Sequence, residues 1–217
     1  MSPGPERVSE DHAPSGELTG DDVSIDTAIV PALPDLAVPE GMWASIAVFD
    51  AAVDRWVERW RSPRLDPIAY GLSSAADHSL LWHVIGATRA ARTGSTATLV
   101  RMAAVLGAES ALTNGPVKTL FRRIRPERDL TVRLPYGLRT PITSSFPSGH
   151  ATAAFTAASL LAQGRRGGSL WYGLAAAVAM TRVYVRLHHA SDIVAGAALG
   201  LAFGHLARRI APLPRSS

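Results

Sequence analysis

The run Ser144-Ser145-Phe146-Pro147-Ser148-Gly149-His150 brings a hydroxyl, a glycine amide and an imidazole to one turn. Pro147 cannot sit inside a helix, Gly149 frees the backbone to turn, and Ala151-Thr152-Ala153-Ala154-Phe155 behind them is small, apolar and helix-forming. The pattern predicts a helix that starts at the turn. The N–H groups of Ser148, Gly149 and His150 would then lack helical partners and would attract an anion. Donors for an oxyanion together with a proton source for a departing atom are what group transfer needs. A plain helix cap beside an idle histidine uses the same residues, and the turn by itself does not choose between the two.

Two more stretches carry reactive side chains. Lys118 stands upstream with six residues between it and Arg125-Pro126, and Arg182 stands downstream with five residues before His188 and three more before Asp192. Lys118 is the only lysine in the chain, and the other 21 basic residues are arginine. A single compact point charge among forked guanidiniums points to a specific contact, because the two bind phosphate with different geometry. Arg182 closes the apolar run Ala175–Met180, where a cation needs an anionic partner. A neutral imidazole is a good nucleophile, and a carboxylate neighbour fixes its tautomer. Three cations around a transferring group neutralise its charge without a metal ion. Arg122, Arg123 and Arg128 read as interface charge, Glu109 as a structural anchor, and His12, His78, His83 and His205 as structural histidines.

Joined, these stretches read Lys-x6-Arg-Pro, Pro-Ser-Gly-His and Arg-x5-His-x3-Asp. Over roughly residues 70–207 the chain resembles the type 2 phosphatidate phosphatase and vanadium haloperoxidase superfamily, in its membrane lipid phosphatase branch. Thr181 departs from the pattern, since many members have serine before the arginine, but the hydroxyl is kept. The resemblance implies that Lys118, Arg125, Ser148, the Gly149 amide and Arg182 hold a phosphate. It implies that His188 attacks phosphorus to give a phosphohistidine, oriented by Asp192, and that His150 protonates the departing oxygen and then activates water. It implies no metal and no cofactor. The expected substrate is a lipid phosphate or diphosphate such as undecaprenyl diphosphate, another prenyl diphosphate or phosphatidate. The Ala- and Arg-rich composition, similar to that of high-GC bacteria, adds decaprenyl-linked phosphosugars. The other readings are a soluble acid phosphatase or haloperoxidase-like enzyme, and a non-catalytic lipid-binding or transport relative. Spacing alone leaves two nucleophile candidates. A helix running unbroken from Arg182 would carry His189 on the same face, seven residues on. The family spacing picks His188, which fits if one helix ends near Leu187 and another begins near Ser191 as its cap.

These groups need a scaffold. The chain has 217 residues, no cysteine and a formal charge of +4. Nine of its 18 acidic residues fall in the first forty positions, opposed only by Arg7, so the remainder is strongly basic. A basic body suits an anionic membrane surface or a phosphorylated substrate. No motif with interleaved aromatics points to nucleic acid. Residues 1–40 read as a disordered acidic tail. Residues 41–67 read as an amphipathic interfacial helix and linker, with Ile46, Phe49, Val53, Trp56, Val57 and Trp60 on one face. Residues 68–210 read as the helical phosphatase domain. Its helices are expected over 68–90, 96–113, 150–164, 169–187 and 191–207, and Ala175-Ala176-Ala177 and Gly196, Gly200 and Gly204 in the last two favour close helix contact. The predicted fold is all-α, a membrane-embedded bundle of about five spanning helices beside the interfacial one. All three motifs fall at one end. Arginines 89, 92, 165, 166, 208 and 209 fall at the other, which puts the site outside the cytoplasm in a multi-pass protein of the cell membrane.

Overall fold

The computed structural model describes residues 40–127, 138, 141, 143–163 and 167–212. The expected acidic tail therefore lies almost wholly outside the described residues, as do Arg128, Arg165 and Arg166. All regular structure among the described residues is helical. The helices are α1 (Glu40–Glu58), α2 (Asp66–Ala75), α3 (Leu80–Thr93), α4 (Thr96–Leu112), α5 (Gly149–Ala162), α6 (Ser169–Tyr184) and α7 (Ala190–Ile210).

The amphipathic α1 exposes Met42, Trp43, Val48, Phe49 and Trp56 and turns Val57 and Asp50 inward. The linker after it is pinned to the end of α6. Tyr184 donates its hydroxyl to Asp66 at 2.6 Å and accepts from the Ser62 amide at 3.2 Å.

The single helix expected over 68–90 is two. A short 3-10 turn, Asp77–Ser79, separates α2 from α3, with His78 and Ser79 at φ 52° and 59°. No glycine or proline marks the break. Its anchor is the Asp77 carboxylate, which lies 2.7 Å from the His150 ring and so turns this segment toward the start of α5.

Helix α5 is the hub. It is apolar nearly all round, and Ala151, Ala154, Ala157, Ala158, Leu160 and Leu161 are buried, as a helix enclosed by other helices must be. Its closest partner is α7, along Gly196, Gly200 and Gly204. A Cβ at Gly196 would strike the Ser148 carbonyl oxygen, one at Gly200 the Thr152 carbonyl oxygen, and one at Gly204 the Ser159 side chain. Small residues let the two backbones touch, as the sequence led one to expect. This seam sets the start of α5 beside the start of α7, where the Ser148 amide donates to the Asp192 carbonyl at 3.0 Å.

Helix α4 ends in a π turn, Thr113–Val117, with Pro116 inside it, which delivers Lys118 to the same end of the bundle. At the opposite end Arg89 donates to the Leu161 carbonyl at 2.9 Å. Among the described residues one helix, α7 with 21 residues, is long and apolar enough to cross a membrane; α3 to α6 run for 14, 17, 14 and 16 residues.

Candidate active site

Three chain segments meet at the end where α5 and α7 begin. The first is the Pro-Ser-Gly-His turn. Ser148 is buried and is the N-cap of α5, its Oγ accepting from the Ala151 amide at 3.4 Å. The cap uses the hydroxyl as an acceptor and leaves its proton to give. The plain reading and the functional one are therefore compatible. Gly149 backs onto Asn114, whose Oδ1 would lie 3.0 Å from a Cβ there.

The second segment is the loop carrying Lys118 and Arg125. It zips against residues 144–146: Arg123 N donates to Ser144 Oγ at 3.2 Å, Ser145 N to the Arg123 carbonyl at 3.0 Å, and the Phe121 and Phe146 rings meet edge to face at 4.7 Å. The Arg125 guanidinium is held by the carbonyls of Pro141 (3.1 Å), Leu187 (2.6 Å) and Thr143 (3.2 Å), which aim it at His188 Nε2, 3.4 Å away. Lys118 is largely buried. Loss of water and the nearby cations Arg125 and Arg182 push its ammonium down to about 8.

The third segment joins α6 to α7. Helix α6 ends at Tyr184, Arg186 takes a left-handed φ of 54°, and α7 starts at Ala190 with His189 as its N-cap. The helix is therefore broken between Arg182 and Asp192, as the His188 assignment requires. The cap, however, is His189 and not Ser191. Asp192 reaches back to accept from the His189 amide at 2.9 Å, which starts the helix two residues early. The two histidines diverge. His188 is buried, with Nδ1 3.6 Å from Asp192 Oδ2, within ion-pair reach but long for a hydrogen bond. His189 turns its Nε2 to the Ile124 carbonyl at 3.2 Å. Burial, outweighing the pull of Asp192 and aided by Arg125 and Arg182, lowers the His188 imidazole to about 3. The ring is neutral, with a lone pair on the nitrogen that faces Arg125.

Arg182 is buried and donates to Ser73 at 2.5 Å, with Asp77 at 3.5 Å; its Nε has no partner among the described residues. Asp77 accepts from His150 at 2.7 Å, so Nε2 carries the ring proton and Nδ1 is the nitrogen left to exchange one with a substrate. All eight residues picked out by the motifs thus gather at one end of the bundle.

Four residues of this region escaped the sequence reading. Asp77 and Ser73 flank Arg182, and Asp50 and Arg123 flank Asp192. Arg123 is the clearest correction. It was read as interface charge, yet its guanidinium donates to Asp192 Oδ1 (2.6 Å), Ser191 Oγ (2.6 Å) and Asp50 Oδ2 (2.5 Å). Its partners lie on helices 69 and 73 positions away, so no local pattern could have flagged it. Glu109 fits its reading as an anchor. It is buried and accepts from Thr113 at 3.0 Å, at the turn before Lys118.

A cradle of cations, a neutral imidazole backed by a carboxylate and a second imidazole opposite is the equipment of phosphoryl transfer. The comparisons agree. Residues 98–215 match the family model of the PAP2 superfamily. The decaprenylphosphoryl-5-phosphoribose phosphatase of Mycobacterium tuberculosis is 32% identical over 169 residues, covering 73% of this chain and 84% of that protein. The chain belongs to the PAP2 superfamily and is a phosphoric ester hydrolase. Two solved structures share the fold. One is a transmembrane PAP2 type phosphatidylglycerolphosphate phosphatase from Bacillus subtilis (TM-score 0.59, 23% identity, 81% of this chain and 90% of that one). The other is Aquifex aeolicus LpxE (TM-score 0.57, 22% identity, 73% and 94%).

Proposed function

We propose that the protein is a membrane phosphatase that releases inorganic phosphate from a lipid-linked phosphate through a phosphohistidine. The observation that carries this is the buried, neutral His188 between Asp192 and the guanidinium of Arg125. In the reaction His188 Nε2 attacks phosphorus while Lys118, Arg125, Arg182, the Ser148 hydroxyl and the Gly149 amide take the charge of the phosphoryl oxygens. The bond to the lipid oxygen breaks, and that oxygen receives a proton from Nδ1 of His150. Burial lowers the ring to about 4 without substrate, so it enters the step as an imidazolium that takes up this second proton with the phosphate dianion while its first stays on Nε2 against Asp77. Asp192 accepts a hydrogen bond from Nδ1–H of His188, which keeps its proton, and that bond shortens as the ring becomes cationic. Water, giving its proton to His150, then attacks the phosphohistidine and frees phosphate and His188.

The bundle sits in the cell membrane, with α7 and its shorter neighbours crossing it. The exposed tryptophans and Phe49 of α1 lie in the interface. Arg89, Arg208 and Arg209 at the far end favour an extracytoplasmic site. The likeness to the M. tuberculosis enzyme favours a polyprenyl-linked phosphosugar over a prenyl diphosphate or phosphatidate. Phosphate release from a panel of farnesyl phosphate, farnesyl diphosphate, phosphatidate, phosphatidylglycerol phosphate and a prenylphosphoryl-5-phosphoribose tests it. The expected result is release from the phosphosugar lipid first, lost in His188→Ala. Wild-type protein inert on all five would refute it.

A further inference from the structure

We infer that Asp50 and Arg123 are positioning residues for the reaction: from the side of α1 they hold the Asp192 carboxylate, and through it His188, in the attacking orientation. The inference rests on the assignment of His188 and Asp192 proposed above.

Asp192 has no exposure, and both its oxygens are committed. Oδ2 accepts from the His189 amide and faces His188 Nδ1, while Oδ1 accepts from Arg123 Nη1 at 2.6 Å. Arg123 therefore sets the rotation of the carboxylate, and that rotation decides whether Oδ2 points along the imidazole N–H.

Arg123 is itself held. Its backbone is zipped to Ser144 and Ser145, and its Nη2 donates to Asp50 Oδ2 at 2.5 Å. Asp50 is 4% exposed although most residues of its helix, α1, are exposed. It also accepts from the Ser191 amide at 2.8 Å and the Ser191 hydroxyl at 2.9 Å. That amide belongs to the first turn of α7, so Asp50 caps α7 from another helix and adds a favourable charge at its N-terminus. The Ser191 hydroxyl closes the ring by accepting from Arg123 at 2.6 Å.

Two buried carboxylates share one half-buried guanidinium here. A set of this kind is sharply oriented when complete and costly when one member is removed. A tie that only fastened α1 to the bundle would not need to pass through the one carboxylate that addresses the nucleophile. The arrangement makes seating of α1 part of assembling the site.

The test uses the full chain in detergent micelles with whichever panel lipid the wild type turns over. Asp50→Asn and Arg123→Gln should each lower kcat by about 10- to 100-fold, the usual effect of removing a group that orients a reacting ligand. KM and inhibition by inorganic phosphate should stay within about twofold, because Lys118, Arg125 and Arg182 are untouched. The double variant should be no more than about threefold worse than Arg123→Gln, since Asp50 acts through Arg123. Ser191→Ala, which removes no charge, should cost a few-fold. A rise in KM at constant kcat, or fully additive losses, would overturn the inference. If the charge variants do not fold, Ser191→Ala at wild-type kcat overturns it. Asp192→Asn separates the two levels. If it is inactive while the other three variants match the wild type, only the positioning inference falls; if it is fully active, the site reading falls with it.

Discussion

Asp77→Asn isolates the acid half of the site. Asp77 accepts the Nε2 proton of His150 at 2.7 Å, and the amide keeps the shape and an acceptor oxygen but loses the charge. A hydrogen bond to a charged group contributes about 1.5–3 kcal/mol. At about 1.4 kcal/mol per factor of ten, this is a loss of roughly 10- to 150-fold in the step His150 serves. That step is protonation of the departing lipid oxygen, so the loss should depend on the leaving group. An alkyl phosphate such as farnesyl phosphate leaves as a strongly basic oxygen and needs the proton. An aryl phosphate such as p-nitrophenyl phosphate does not. Single-turnover formation of phosphohistidine from both measures the effect directly. The alkyl ester should lose the full factor and the aryl ester no more than a few-fold. Equal losses on both would refute the argument and make Asp77 a counter-ion of Arg182, 3.5 Å away, rather than the partner of His150.

The remaining predictions follow from the same geometry. His188→Ala should abolish turnover and phosphohistidine trapping while His189→Ala keeps most activity, since the His189 ring turns its Nε2 to the Ile124 carbonyl; the reverse would move the nucleophile. Lys118→Arg should cost on the order of a hundredfold in kcat, because a fork cannot replace a buried point charge; an unchanged rate would make Lys118 mere surface charge. His188 is lowered from 6.5 to about 3 by burial, so between those values the unfolded chain binds a proton that the folded ring refuses. Stability should therefore fall as pH drops through that window, and His188→Gln should flatten the dependence of the thermal midpoint on pH; an identical slope would refute it.

The helical class, the cap at Ser148 and the Gly seam were legible because each is written in neighbouring residues, whereas the break before Asp192 followed only from the family spacing. Pro147 and Gly149 announce a turn, and glycine at every fourth position announces a close approach. What stayed hidden was long-range. Asp77 and Asp50 look like ordinary polar residues on their own segments, and each finds its histidine or arginine partner 73 positions away. The split of the 68–90 segment was hidden for the same reason, as a tertiary contact of Asp77 and not a breaker residue accompanies it. His189 displaced Ser191 as the cap because the Asp192 side chain reaches back to its amide.

The seam between α5 and α7 works as a spacer made of nothing. The phosphate cradle starts α5 and the Asp192 carboxylate starts α7, so the distance between the two halves of the site is set by three missing side chains at Gly196, Gly200 and Gly204. These stand about 6, 12 and 18 Å along α7 from Asp192. Replacing helical glycine by alanine is a standard route to thermostability, worth about 0.4–1 kcal/mol where the backbone allows it. Here each added methyl would act as a wedge against α5, and even the one deepest in the bundle would lever the nucleophile away from the phosphate. An engineer seeking a hardier enzyme should leave this stripe alone and work on the glycines that face open space, Gly71, Gly107 and Gly173.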